Sequence, residues 1–409
     1  MQKRFIVALD LAKRNHVARI LDTQAGEMSR AIKIAVNREG FDTFDQVLAT
    51  YSTDPADFLV GCEATGHYGE TLLRRLQDQG YAIVRLNPAQ VVQFRRGLGR
   101  KAKTDALDAD AMARQLAVTD SKPDQPVDQT QRSLQRMTRL RLDFVEEQGR
   151  WINRVRGLLN QVFPELEGVL TKLTRPMSLK LLSQFPSPQI LIDISLTELT
   201  QVVRQASRGQ KGERFAQKLK TAAETSIGLA DPWLQTELRL TVQQLITVTD
   251  NIKLLEQEIT ALTDQLLHEY SQALALETPL TIKSFPYGSH LSLGTVLAEL
   301  GSLHRFCSLK HLLSYFGWCP NTKESGETRS PHPPMSHQGN RFMRRVLWML
   351  AVGVVRVVPE YQAYYQKRQE DGKNHMKTIV AVGRKLLSVI YAILRTGIAY
   401  DPKRYLKCA

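Results

Sequence analysis

The feature that most constrains the fold of this chain is a change of hydrophobic period near Ala111. Before it, short apolar runs alternate with amphipathic stretches; beyond it, apolar residues recur at threes and fours and strand signals disappear. Short apolar runs bounded by turn residues read as strands, and steps of three and four read as helices. Phe5–Leu11, His16–Leu21 and Ala31–Val36 therefore predict a three-strand meander. A helix from Arg38 to about Ala49, a strand Phe58–Cys62, a helix from about Tyr68 to Gln79 and a strand Ala82–Leu86, closed by Asn87-Pro88, complete a mixed sheet covered by helices.

The polar segment Asp120–Asp128, with two prolines, marks the first boundary. Gln131 to about Val162 carries Leu134, Met137, Leu140, Phe144, Trp151, Val155 and Leu158 at helical spacing, and Pro232 to Leu267 repeats the pattern with Leu245, Ile252, Leu255, Ile259 and Leu262. Two long amphipathic helices with a helical insert, Gly168–Gly228, between them predict a coiled-coil arm, either intramolecular or pairing subunits. From about Pro279 the pattern predicts helices at Gly294–Leu300 and Leu309–Phe316, a Pro-, Ser- and Gly-rich loop Cys319–Gly339, a helix Asn340–Val357 and a basic helical tail Thr378–Ile398. Phe342, Trp348 and Met349 read as core of the helix before that tail. The expected domains are 1–127, 128–272 and 273–409, an α/β unit followed by α units.

Against 41 Asp and Glu stand 55 Lys and Arg, a net charge of +14. Such a field captures polyanions, so nucleic acid is the leading partner and an anionic membrane surface the rival. A spanning helix needs about 20 apolar residues. Val346–Val358 is too short and contains Arg356, and the N-terminus has no signal-peptide pattern, so a cytoplasmic location is expected. The four cysteines form no C-x-x-C pair, which argues against a disulfide framework or a thiolate zinc site.

Four acids then stand out. Asp10 ends the first predicted strand and Glu63 follows the Phe58–Cys62 strand, so their carboxylates converge if those strands are neighbours. Asp105 and Asp108 are three apart on a helix starting near Thr104, which places both on one face. Hard oxygen ligands in this number suit Mg²⁺ or Mn²⁺, and two such ions about 4 Å apart clamp the attacking and leaving oxygens of phosphoryl transfer. The plainer alternative is that each acid is a turn residue or a helix-dipole partner. Asp110, five residues from Asp105, is turned off that face. Immediately before lies Arg95-Arg96-Gly97-Leu98-Gly99-Arg100-Lys101-Ala102-Lys103, read as a flexible basic loop for a phosphodiester backbone.

At these residues the chain resembles a known family. Val7–Lys13, Cys62-Glu63-Ala64-Thr65-Gly66 and Lys103-Thr104-Asp105-Ala106-Leu107-Asp108-Ala109 resemble the DEDD insertion-sequence transposases, whose N-terminal domain is similar to the RuvC resolvase and has an RNase H-like fold. Ile152–Leu159 with Phe163-Pro164-Glu165 resembles the start of their coiled coil. Leu297-Ala298-Glu299-Leu300-Gly301 and Ser336-His337-Gln338-Gly339-Asn340-Arg341 resemble their C-terminal transposase domain. The resemblance implies a recombinase that cuts and rejoins donor and target DNA, with Mg²⁺ on the acidic quartet and a structured noncoding bridge RNA that pairs with both DNAs. It also implies a homo-oligomer, dimer or tetramer, in which quartet and serine come from the same or different subunits. Family members carry a paired-glycine turn at the position of Pro286–His290, where this chain keeps one glycine.

The resemblance makes Ser336 the nucleophile. Serine needs a base or metal to take its proton and cations to hold the phosphate. Arg341, Arg344 and Arg345 rise from the first turns of the following helix, whose N-terminal amides also attract anions. His337 adjoins Ser336, but neighbouring side chains often diverge, and no base is assigned. The alternatives are that Ser336 is an N-cap, in a RuvC-like nuclease that hydrolyses DNA without covalent serine chemistry, or that the chain is a non-enzymatic binding protein.

Overall fold

In the computed structural model, which describes residues 3–63, 68–97, 105–119, 123, 129–303, 306–319, 324–325, 328–329 and 339–405, five consecutive apolar residues make Phe5–Asp10 (β1) a strand buried on both faces. Around it form β2 (Asn15–Asp22), β3 (Glu27–Met28), β4 (Ile32–Ala35), α1 (Arg38–Tyr51), β5 (Phe58–Glu63), α2 (Glu70–Asp78), β6 (Ala82–Leu86), α3 (Pro88–Gly97) and α4 (Asp105–Val118). The sheet has the order β3-β2-β1-β5-β6, with β4 also paired to β2. β1 and β2 are antiparallel, and β5 runs parallel to both β1 and β6. An antiparallel meander continued by parallel strands, with helices on both faces, is the RNase H-like arrangement that the sequence led us to expect.

Strand alternation divides this unit into two cores. Phe5, Val7 and Leu9 join Phe58, Val60 and Cys62 under α1 and α2. Ile6 and Ala8 join Leu59, Val84 and Leu86 under Val91 of α3 and Ala109, Met112, Ala113 and Leu116 of α4. Gly61 belongs to this second face: a Cβ there would lie 2.1 Å from Leu116 Cδ1, so the missing side chain lets α4 close on β5.

Two local expectations are corrected in this unit. The two-residue β3 was not foreseen, since Glu27-Met28 gives no apolar run. Arg95 and Arg96 stand in the last turn of α3 instead of in a loop. Pro88 fits the first helical position, where its missing N–H is not needed, and the Asn87 carbonyl accepts from the N–H groups of Gln90 and Val91. With Val91 buried against α4, the segment is helical despite the glycines that follow it.

The chain forms two compact units, Met1–Val127 and Asp128–Ala409. The second contains α5 (Gln129–Val162), α6 (Glu165–Val169), α7 (Pro176–Gln184), α8 (Pro188–Asp193), α9 (Leu196–Ala206), α10 (Glu213–Glu224), α11 (Pro232–Ala273), α12 (His290–Leu300), α13 (Leu309–Tyr315), the short strands β7 (Glu324–Ser325) and β8 (Thr328–Arg329), α14 (Arg341–Val357), α15 (Pro359–Glu370), α16 (His375–Thr396) and α17 (Pro402–Tyr405). β7 and β8 pair antiparallel, a ribbon where the hydrophobic pattern predicted no strand.

α5 and α11 pack along one another in opposite directions. Thr130 donates to Glu269 (3.0 Å), Arg141 to Glu256 (2.6 Å), Gln148 to Thr249 (2.9 Å) and Arg154 to Glu237 (2.8 Å), so residue numbers rise on one helix as they fall on the other. One end of the pair, with Val155, Leu158, Leu238 and Leu245, is embedded in the core of the insert helices. The other end, with Leu134, Ile259 and Leu266, shares a core with α12, α13, α14 and α16. Met349 of α14 is 64% exposed and so lies outside this core, contrary to the sequence expectation.

Candidate catalytic site

Asp10 is the last residue of β1 and Glu63 the last of β5, and these strands are parallel neighbours in register, Leu9 beside Cys62. Counting alternation from Ile6 and Ala8, and from Leu59 and Gly61, puts both carboxylates on the face covered by α4. Each is half-buried. The sheet-facing rows of α4 run through Ala109 and Ala113 and through Met112 and Leu116. Stepping back four residues along each row reaches Asp105 and Asp108, the first-turn acids of the helix. Topology thus assigns all four acids to one side of the sheet, on two adjacent strand ends and the helix that covers them.

The four are not gathered into a ligand cage. Among the described residues no group of three or more His, Cys, Asp or Glu side chains is arranged to hold a metal ion. Asp108 instead pairs with Arg95 of α3, and both side chains are mostly buried, 18% and 16% exposed. The donor set still fits a hard divalent cation, because it consists entirely of carboxylates. A guanidinium already seated on Asp108 shows that positive charge is accommodated there. Removing it with Arg95→Gln is expected to tighten Mn²⁺ binding about fivefold, the worth of roughly 1 kcal/mol of competing ion pair. Calorimetric titration of the full chain checks this, and an unchanged or weaker affinity contradicts it.

Asp110 is paired within α4. It is 3% exposed, the most buried acid of the α4 cluster, and accepts from Arg114 (3.2 Å), so it serves the packing of its own helix. Arg96 is exposed at the end of α3. Arg100, Lys101 and Lys103 lie outside the described residues.

Ser336 also lies outside the described residues, but the helix that follows it is well defined. Asn340 is the N-cap of α14, its side-chain oxygen accepting from the N–H groups of Phe342 (2.9 Å) and Met343 (3.1 Å). The capping position is therefore filled four residues beyond Ser336, and α14 needs no second cap. Arg341 is exposed and lies over the Phe342 ring at 4.8 Å, Arg344 is half-buried, and Arg345 pairs with Glu146 of α5 at 2.7 Å. Phe342 is half-buried, its ring also 4.7 Å from the Arg139 guanidinium. Reading the sequence did not single out Arg139 or the buried Glu299 that it meets. The available signal was a lone acid in the apolar run Leu297-Ala298-Glu299-Leu300.

Comparison with known proteins finds matches in both units. Residues 7–164 match the family model for DEDD transposases of the IS110 type, and residues 282–366 match the model described as transposase, IS116/IS110/IS902 family. The chain is 27% identical to the 43.6 kDa protein of insertion element IS110 from Streptomyces coelicolor, over 88% of this chain and 86% of that one. It is 24% identical to the 42 kDa protein of insertion element IS900 from Mycobacterium paratuberculosis, over 77% of each. It is also 28% identical to the pilin gene-inverting protein of Moraxella bovis, over 38% of this chain and 48% of that one.

An RNase H-like sheet with acids at adjacent strand ends, continued by a helical transposase unit, defines a DNA transposase or recombinase, an enzyme class that depends on metal. The chain belongs to the IS110/IS116/IS902 family of DEDD insertion-sequence transposases. No helix among the described residues is long and apolar enough to cross a membrane.

Proposed function

We propose that this chain cuts and rejoins DNA strands in the movement of an insertion element, with Asp10, Glu63, Asp105 and Asp108 holding Mg²⁺, or Mn²⁺, and Ser336 as the nucleophile. The carrying observation is the placement of Asp10 and Glu63 on neighbouring strand ends, on the face where α4 brings its two acids. A bound divalent ion supplies charge stabilisation to the phosphodiester oxygens. Ser336 Oγ forms the bond to phosphorus as the bond from phosphorus to the departing sugar oxygen breaks. The serine proton leaves for solvent or a neighbouring base, and the sugar oxygen takes one up to become a free hydroxyl. One phosphoester replaces another, so the bond is conserved for rejoining.

Arg341, Arg344 and Arg345 hold the phosphate, and Arg96, Arg100, Lys101 and Lys103 follow the DNA backbone, which cations grip without reading sequence, while Arg95 stays on Asp108. Choice of site falls to a noncoding bridge RNA that pairs with donor and target DNA, leaving the protein to hold backbones. The active form is a homo-oligomer, dimer or tetramer, and the second unit divides in function into an arm, 128–272, and a transposase domain, 273–409. The relatives named for inverting a pilin gene support the reading, because inversion requires strands to be both cut and rejoined.

The test is to trap protein-linked DNA under denaturing conditions, using the full chain with its co-purified RNA and a plasmid carrying the coding region and its flanking DNA. A covalent adduct is expected from the parent chain and none from Ser336→Ala. Full strand exchange by Ser336→Ala would remove the serine from the mechanism, and cleavage by the parent chain without adduct or rejoining would make a metal-dependent nuclease the better description.

A further inference from the structure

Glu299 is a carboxylate inside an apolar helix. Its neighbours on α12, Leu293, Val296, Leu297 and Leu300, all belong to the main core of the second unit, and its side chain is 0% exposed. Burying a carboxylate without partners costs several kcal/mol, so its partners disclose what holds it. Arg139 of α5 donates through Nε to Oε1 (2.8 Å) and through Nη2 to Oε2 (2.9 Å), a bidentate pair. Gln135, one helical turn earlier, donates to Oε2 at 3.2 Å. The Asn340 side-chain amide also donates to Oε2.

Asn340 is thereby used on both ends. Its Nδ2 is spent on Glu299 while its Oδ1 caps α14. The residue before it is equally confined. Gly339 has φ +100, and a Cβ there would lie 2.7 Å from the Tyr315 carbonyl oxygen and 2.8 Å from the Gly317 nitrogen, so the backbone passes tightly over the end of α13. The Arg139 guanidinium, oriented by Glu299, completes an open cleft with Tyr315, Gly339, Asn340, Arg341 and Phe342. One buried acid therefore sets both the chain's entry into α14 and the direction of a cation beside that entry.

We infer that Glu299 is a positioning residue for strand transfer: through Asn340 and Arg139 it fixes the backbone at Gly339 and Asn340, three and four residues after Ser336 in the chain. The inference rests on the reading of Ser336 given above. Misplacement of reacting groups by about 1 Å costs about 10²-fold in rate, whereas a purely structural acid would change stability and leave the chemistry of the folded protein intact.

Two substitutions at Asn340 separate these roles. Asn340→Ser retains a capping oxygen but is too short to reach Glu299; Asn340→Asp retains the cap and sets a second carboxylate against Glu299. The full chain with its co-purified RNA is assayed for trapped adduct on the plasmid substrate, for DNA affinity, and for hydrogen exchange across α14. Adduct formation is expected to fall about 10²-fold in both, with DNA affinity and α14 protection unchanged. Adding Glu299→Gln to Asn340→Asp restores an amide facing a carboxylate, and at least tenfold of the lost rate should return. Adduct formation by Asn340→Ser within about twofold of the parent, failure of the double substitution to recover, or loss of α14 protection alongside activity would each overturn the inference. Adduct persisting in Ser336→Ala overturns the serine reading instead. Its absence there, together with an unaffected Asn340→Ser, overturns only the role of Glu299.

Discussion

Asp10→Ala is expected to lower strand cleavage by about 10³-fold or more while leaving DNA affinity within about twofold. A divalent ion in phosphoryl transfer contributes several kcal/mol to stabilising the transition state, and each 1.36 kcal/mol is about a factor of ten. Asp10 ends the central strand β1, and the residue paired with it on β2 is Val17, which has no carboxylate to take its place. Affinity behaves differently because it comes from neutralising phosphates with Lys and Arg, of which the chain has 55. Removing one acid does not weaken that term. Gel-based cleavage rates and a filter-binding isotherm on the same plasmid fragment read the two effects separately. Cleavage within about tenfold of the parent would remove Asp10 from the metal site; a parallel fall in affinity would make its role structural.

The same substitution at Asp108 tests something else. Asp108 is held by Arg95, so its loss frees a guanidinium as well as deleting a ligand. That pairing shows where sequence reasoning reached its limit. Asp10 and Glu63 were legible because an apolar strand ending in an acid states both its burial and its face. Whether the strands were neighbours depended on topology, which the parallel β1 and β5 supply. The three-residue spacing of Asp105 and Asp108 was legible from helical period alone. By contrast Arg95-Arg96-Gly97 reads as loop by composition, and only the burial of Val91 against α4 makes the segment a helix. No local pattern announces that an arginine thirteen residues upstream will meet Asp108.

Glu299 shows the same limit in the second unit. The helical period around it was correct, and the resemblance quoted its motif, yet the meaning of the acid lies in α5. Arg139 and Gln135 are 160 and 164 residues away in the chain. Long amphipathic helices such as α5 and α11 announce themselves through repeated apolar steps, while the polar row Gln131, Gln135 and Arg139, through which α5 meets α12, lies outside that apolar pattern.

Arg139→Ala therefore tests the stability that this buried pair contributes. Glu299 is fully buried, so deleting its bidentate partner leaves a buried carboxylate whose charge has no counter-ion in the described structure. Losses of about 3–5 kcal/mol follow when one member of a buried pair is removed. Here the lower end, about 3 kcal/mol, is expected, because Gln135 and Asn340 still donate and Arg139 is itself 41% exposed, which admits water. The pair also raises the Arg139 guanidinium above its ordinary value, chiefly through the Glu299 hydrogen bonds. Urea unfolding followed by helical circular dichroism measures the loss. Adding Glu299→Leu to Arg139→Ala should return most of it, since an apolar side chain of similar size in place of Glu299 removes the desolvation cost of the unpaired carboxylate. Activity should stay low in that double variant: Asn340 would then cap α14 without an anchor. Stability restored without strand transfer is the outcome that separates the packing of Glu299 from its positioning of the site.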